Sequence, residues 1–280
     1  MTHVAALQMI SSPDVADNLI VAERLIAEAA AQGAQLVALP EYFPLIGASD
    51  AARLSARETL AQADEQPSEA TPIQRFLSES AKRHGVWIVG GSIPLTANDP
   101  ARLRNACLVF DVEGRRVAHY DKIHLFGFQR AEESYDESLS IEAGETRRLT
   151  TFVFNAGESS WRVGLAICYD VRFPELFRTM DEVDLLVIPA AFTETTGRAH
   201  WELLLRARAV ENQCYVLAAA QGGQHPTGRL THGNSMLIDP WGDVVARMDK
   251  GTGIVLGEME QARLTEVRTS LPALRHRRIR

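Results

Sequence analysis

Cysteine is scarce in this chain: Cys107, Cys168 and Cys214 are the only three in 280 residues. An odd set without CxxC spacing builds neither a disulfide framework nor a zinc site. A reducing cytoplasm is the expected compartment. Basic residues are outnumbered, 29 Lys and Arg against 36 Asp and Glu, for a formal net charge of −7. That balance disfavours nucleic acid and anionic membrane surfaces as partners. No apolar run approaches the ~20 residues of a membrane span. The segment after Met1 has neither a basic start nor a signal-type cleavage pattern. Glycine-rich phosphate loops and dinucleotide fingerprints are missing, so no nucleotide cofactor is indicated. Proline-rich linkers, repeats and low-complexity tracts are missing too, and one domain over 1–280 is expected. The remainder is an ordinary globular composition, 46% hydrophobic and 23% charged, with ample material for a core.

What is present is a series of short apolar runs. Val4–Met9, Leu36–Leu39, Val86–Val89, Ala106–Phe110, Val163–Ile167, Leu185–Ile188, Tyr215–Ala220, Ser235–Ile238 and Gly253–Leu256 have the length and β-branched content of strands, several buried on both faces. Helical spacing of Leu19, Ala22, Ile26 and Ala29 predicts a helix over 15–32, capped by Asp14 or Asp17 and stopped by Gly33. Thr71-Pro72 opens a second helix that Gly85 ends. Further helices are expected from near Phe173, over Ala199–Asn212 and over Gln261–Thr269. Asp111–Gly114 and Asp239–Asp243 read as reversing loops of two hairpins. These elements predict a mixed sheet covered by helices. The stretches 43–69 and 124–148 read as long loops, of the kind that form binding lids.

Three residues at strand ends carry chemistry. Cys168 follows Val163–Ile167 and precedes the Phe173-Pro174-Glu175 helix start. A thiol at such an elbow stands near backbone N–H groups that no helical bond satisfies, and these stabilise a thiolate or an oxyanion. A small buried core residue is the competing reading. Glu41 closes Leu36-Val37-Ala38-Leu39-Pro40, where partial desolvation raises a carboxylate toward general-base range. Lys122, after Arg116–Ala118, can lower a thiol pKa and hold a developing oxyanion. Glu41 and Lys122 taken singly also read as solvated surface residues. Together the three supply a nucleophile, a base and an electrostatic stabiliser, the set a cysteine hydrolase needs. His124 has no histidine partner at metal spacing and reads as structural.

Leu39-Pro40-Glu41, Lys122-Ile123-His124-Leu125-Phe126 and Cys168-Tyr169-Asp170-Val171-Arg172-Phe173-Pro174-Glu175 resemble, in order and spacing, the three catalytic blocks of the nitrilase-like carbon–nitrogen hydrolases. The resemblance runs from Ala5-Ala6-Leu7-Gln8-Met9 to Leu271-Pro272-Ala273-Leu274-Arg275. It implies an α/β fold, a four-layer α-β-β-α sandwich with mixed sheets, that pairs into a homodimer or higher homo-oligomer. It implies a Glu-Lys-Cys triad and no metal or organic cofactor. It also implies a second glutamate between lysine and cysteine, orienting the lysine. Glu137, in Asp136-Glu137-Ser138, matches best; Glu132 and Glu133 compete, because Gly127–Tyr135 departs from the family pattern.

In the C-terminal half, Arg206–Val216, Ala218–Gln221, His232–Met236 and Asp239–Gly242 resemble the amidases that hydrolyse deaminated glutathione. The omega-amidases, which act on 2-oxo acid amides such as 2-oxoglutaramate, are the second resemblance. The implied activity is hydrolysis of a small linear carboxamide to acid and ammonia through a thioester. A catalytically silent binding or scaffold relative and a redox-sensing thiol protein are the readings from other classes. Tyr169 is expected to lend its backbone N–H to the oxyanion. Phe192 and Thr193, after Leu185–Ala191, are expected to line the site. Arg172 is a candidate reader of a substrate carboxylate, with a structural pair to Asp170 or Glu175 as its alternative. Arg198 and Arg130 are looser candidates for the same role. Cys107 and Cys214 read as inert core thiols, and Glu211 as an ion-pair partner.

Overall fold

The computed structural model describes residues 1–47, 49–62, 67–130, 133–146 and 150–279, with Asp50 and Glu133 described through their backbone alone. In chain order the first strands are β1 (Thr2–Gln8), β2 (Leu36–Ala38), β3 (Trp87–Val89), β4 (Ile93–Thr96), β5 (Leu103–Phe110) and β6 (Arg116–Asp121). A hairpin of β7 (Gly127–Arg130) and β8 (Glu133–Asp136) follows, then β9 (Thr151–Ala156) and β10 (Ser159–Leu165). The last five are β11 (Leu185–Ala190), β12 (Tyr215–Ala220), β13 (Ser235–Ile238), β14 (Val244–Met248) and β15 (Gly253–Met259). Between them lie helices α1 (Val15–Ala31), α2 (Asp50–Ser55), α3 (Pro72–His84), α4 (Pro174–Arg178) and α5 (Glu194–Asn212), and α6 (Gln261–Ser270) closes the order.

Two mixed sheets result. The first runs β15-β1-β2-β3-β5-β4 with β6 on β5, and the second runs β14-β13-β12-β11-β10-β9. Strands β1, β2 and β3 are parallel, as are β10, β11 and β12. Period-2 alternation splits the core into layers. On β1, Ala5 and Leu7 pack with Leu25 and Ile26 of α1 and Leu77 of α3. Val4 and Ala6 turn the other way, into the cluster with Phe154, Trp161 and Val163 of the second sheet. That sheet is covered in turn by α5 through Trp201, Leu205 and Ala209. Helices, sheet, sheet, helices is the four-layer sandwich the resemblance implies.

Local chemistry sets the ends of these elements. Asp14 caps α1 by accepting from Asp17 N at 3.0 Å. Gly85 ends α3 in the left-handed region at φ 63°, where a residue without Cβ is favoured. Helix α5 starts at Glu194, five residues before the expected Ala199, because the Thr193 side chain accepts from Thr196 N and caps it there. The stretches read as long loops hold elements of their own: α2 in 43–69, and the β7–β8 hairpin with a 3-10 turn at Glu137–Leu139 in 124–148. Strands β4 and β9 lacked an apolar run long enough to announce them.

What matters for function is where strands stop. The carboxyl ends of parallel strands β2, β10, β11 and β12 lead to Glu41, Cys168, Ala191 and Gln221. The two sheets meet at that end through a parallel bridge between Met9 and Gln221. A crevice beyond the carboxyl ends of parallel strands is where α/β folds place their ligands.

Candidate active site

Glu41 lies beyond β2 and is 1% exposed. Its Oε1 accepts from Lys122 Nζ at 2.8 Å and from Asn105 Nδ2 at 2.9 Å. Its Oε2 accepts from the Ala191 backbone N–H at 2.9 Å. Lys122 follows the last residue of β6, and its own N–H donates to Asn105 O. Its ammonium also donates to Glu137, 2.8 Å from Oε2 and 3.1 Å from Oε1. Glu137 is fixed from two further sides: Tyr42 Oη donates to Oε1 at 2.8 Å, and Phe126 N–H donates to Oε2 at 2.8 Å. Burial alone disfavours the ammonium, but the charges of Glu137 and Glu41 outweigh it and hold the Lys122 pKa well above the usual lysine range. Burial likewise works against a charged Glu137, yet the Lys122 charge and these donors hold its carboxyl below the usual range.

Cys168 opens a 3-10 turn, Cys168–Arg172, at the end of β10. Its φ of 51° is left-handed, a strained conformation for a non-glycine residue that recurs at functional turns. Burial pushes its thiol pKa well up, and the facing Glu41 charge pushes it further. The resting sulfur is therefore a thiol beside a carboxylate that accepts from it. The turn is pinned by Asp170, whose buried carboxylate accepts four hydrogen bonds. Oδ2 takes Tyr120 Oη and Ile167 N, each at 2.8 Å. Oδ1 takes His124 N at 3.0 Å and His124 Nδ1 at 2.7 Å. The lysine loop of the first sheet is thereby tied to the cysteine turn of the second. His124 is structural, its ring stacked on Phe173 with centroids 3.7 Å apart.

A narrow cleft opens on this group, lined by Cys168, Glu41, Glu137, Phe126, Tyr169, Ala191, Phe192, Thr193, Thr196 and Arg229.

The architecture has counterparts. A carbon–nitrogen hydrolase family model matches residues 3–269. The chain belongs to the carbon–nitrogen hydrolase family. It is 41% identical over 277 residues to a deaminated glutathione amidase of Synechocystis, covering 98% of this chain and 97% of that one. It is 37% identical over 280 residues to the human omega-amidase NIT2, covering 99% and 95%. The crystal structure of Saccharomyces cerevisiae Nit3, a nitrilase-superfamily member, superposes with a TM-score of 0.84 at 30% identity, covering 99% of this chain and 97% of that one. This hydrolase is therefore an enzyme acting on amides. No helix of the described residues is long and apolar enough to cross a membrane.

The fold brings Glu41, Lys122, Glu137 and Cys168 of this hydrolase into one group and puts Tyr169, Phe192 and Thr193 on the cleft wall. Glu132 lies outside the described residues, as does the side chain of Glu133. Arg172 stands apart from the lining. Its guanidinium packs over the Tyr169 and Phe192 rings, 5.7 and 5.5 Å from their centroids, and Nη2 lies 3.3 Å from His200 Nδ1. The Asp170 pair considered for it is not made, because Asp170 is already occupied by Tyr120, Ile167 and His124. Arg198 is mostly solvated and pairs with Glu194 at 2.9 Å. Arg130 ends β7 in an exposed position. Glu211 pairs with Arg208. Cys107 is buried within β5, while Cys214 is buried one residue before β12; burial raises both thiol pKa values.

Asn105, the Tyr42 hydroxyl, the Ala191 N–H, Asp170 and Arg229 escaped the sequence reading. Asn105 left one signal, a polar residue in an otherwise apolar strand run. Arg229 left none, since only the fold carries its polar loop to Cys168.

Proposed function

We propose that Cys168 attacks an amide carbonyl and that Glu41 moves the protons. The observation that carries this reading is the Lys122 ammonium held between Glu41 and Glu137 beside a thiol at a cleft wall. The sulfur forms a bond to the carbonyl carbon while Glu41 takes the thiol proton. The Lys122 ammonium and the Tyr169 N–H hold the oxyanion, each such donor contributing about 3–4 kcal/mol. No backbone acceptor among the described residues takes that N–H. Collapse breaks the carbon–nitrogen bond, and Glu41 returns its proton to the leaving amine. Water then adds to the thioester as Glu41 takes one of its protons, the sulfur leaves, and the thiol regains that proton. Glu137 keeps Lys122 charged and in place.

The proposed substrate is deaminated glutathione, the substrate in the name of the Synechocystis relative. Its leaving group is the amine of cysteinylglycine, so ammonia is not the product there, as it is from 2-oxoglutaramate. Both amides pass through the same 2-oxoglutaryl thioester. Formation of 2-oxoglutarate from each, measured side by side, tests the reading. A kcat/KM at least tenfold higher on deaminated glutathione is expected for a charge-complementary site. The reverse preference assigns the omega-amidase reading, which the similarity to the human enzyme favours. No 2-oxoglutarate from either substrate defeats both.

We further infer a single-domain cytoplasmic homodimer. Supporting the pairing, Leu203 and Val210 on the outer face of α5 are 68% and 48% exposed. They line an open groove with Glu202, Arg206 and Ala207, an apolar surface of the kind partners cover.

A further inference from the structure

Arg229 is the one cation among the residues lining the cleft. Its Nε is buried without a hydrogen-bond partner. Its guanidinium carbon lies 5.6 Å from the centroid of the Tyr135 ring. Among the described residues no carboxylate pairs with it. A buried donor left unsatisfied is costly, and native proteins keep few of them. A guanidinium presents donors in a rigid fork that matches a carboxylate in two parallel hydrogen bonds.

The loop beneath Arg229 is built to hold it still. Gly228 N–H donates to His225 O, and His225 N–H donates to Arg229 O, each at 2.8 Å. The buried His225 ring spans from Ser11 O to Thr231 Oγ1, 2.8 Å at each end. Burial holds its pKa below the usual histidine range, so the ring is neutral there. Thr231 N–H closes on Gly223 O at 2.9 Å, and His232 N–H donates to Phe192 O at 2.9 Å. The Arg229 loop is thus sewn to the segment that carries Phe192 and Thr193. An arginine serving only solubility has no need of this framework.

Charge balance gives the reason for a cation here. Glu41 and Glu137 together bring two negative charges to the site against one from Lys122, so an anionic substrate meets net repulsion. Arg229 cancels that excess and brings the site to neutrality. Thr193, also on the cleft wall, is the N-cap of α5, whose positive dipole end adds to the effect.

We propose that Arg229 binds a carboxylate carried on the acyl chain of the substrate and so selects amides of dicarboxylic acids over neutral amides. The proposal rests on the amidase reading and deepens it. It gives to Arg229 the role considered for Arg172, which lies behind the aromatic wall.

The test compares glutaramate (5-amino-5-oxopentanoate) with pentanamide, an amide of equal chain length without the carboxylate. Wild-type protein favours glutaramate in kcat/KM. In Arg229→Met that preference falls about 100-fold, the loss expected for a charge-assisted pair, and mainly through KM. Arg229→Lys recovers part of it, and circular dichroism confirms that both variants fold. Equal losses on the two amides overturn the proposal. A second arm needs no turnover: glutarate slows alkylation of Cys168 by iodoacetamide, followed by intact mass. Protection in the wild type that is at least tenfold weaker in Arg229→Met supports the assignment. No protection in the wild type, or equal protection in the variant, overturns it. Failure to cleave either amide, with protection intact, counts against the amidase reading while supporting the role of Arg229.

Discussion

Glu137 Oε2 and Lys122 Nζ form a 2.8 Å ion pair in which the lysine side chain has no solvent exposure. A buried pair of this kind is costly to break from one side, because the remaining charge is left uncompensated. Glu137→Gln keeps an acceptor for Phe126 N–H but removes the charge that offsets Lys122. It is expected to lower kcat by about 10²–10³-fold, as for other losses of oriented electrostatic groups. It should also cost about 3 kcal/mol in urea unfolding. Steady-state kinetics and urea titration check the two effects. An equal loss in Glu133→Gln, with Glu137→Gln active, moves the orienting role to Glu133.

Cys168→Ala removes the sulfur that forms the thioester. Turnover should fall by about 10⁴-fold or more, as when the nucleophile is deleted in other acyl-transfer enzymes. The melting temperature should change little, since alanine keeps the backbone of the turn and removes only one small buried group. Retained turnover removes Cys168 from the reaction.

The sequence reading and the structure agree where local chemistry dictates position. Strands β12 and β13 were legible to the residue, because each is an apolar run bounded by turn residues. The strand ends at Glu41, Lys122 and Cys168 were legible for the same reason. The early start of α5 was missed because its first turn, Glu194-Thr195-Thr196-Gly197, is polar, and only the Thr193 cap explains it. The β7–β8 hairpin was missed because Gly127–Asp136 lacks the apolar alternation of a half-buried strand. Arg229 and Asp170 act through contacts between distant segments, such as the Asp170 bonds to Tyr120 and His124. No local pattern announces those.

The Asp170 carboxylate accepts four hydrogen bonds, and Asp170→Asn can satisfy only part of its surroundings. An amide nitrogen in place of one oxygen faces donors, so at least one buried N–H or O–H loses its acceptor. A loss of about 2–4 kcal/mol in stability is expected from that mismatch. The kcat should fall as well, because the same carboxylate registers the lysine loop against the cysteine turn. Denaturant titration reads the first effect and initial rates the second. Full stability in the variant excludes Asp170 as the pin.

The outer face of α5 makes a prediction about assembly. Wild-type protein should sediment at twice the 30.9 kDa chain mass. Leu203→Glu places a charge in the apolar row and should give a 30.9 kDa species, since burying an unpaired charge in an interface is strongly unfavourable. Unchanged sedimentation places any partner elsewhere.

Glu194 predicts how stability depends on acid. Its carboxylate lies 2.9 Å from Arg198, 3.0 Å from Lys250 and 3.4 Å from His232. Against burial, which works the other way, the bonds from Arg198, Lys250 and His232 lower its pKa from 4.5 to about 2. A carboxyl whose pKa is depressed by folding contributes stability that is complete above the unfolded value and is lost as pH falls through the folded one. The contribution is therefore whole at pH 7 and disappears between about pH 4.5 and pH 2. Arg198 and Lys250 are substantially solvated, at 78% and 47% side-chain exposure. Screening therefore reduces the effect to about 1–2 kcal/mol. The Glu194→Gln variant should be less stable than wild type by that amount at neutral pH. The gap should close as the solution is acidified and should narrow in high salt. Urea titrations of both proteins across this pH range measure it, and a gap that persists at pH 2 rules out the charge as its source.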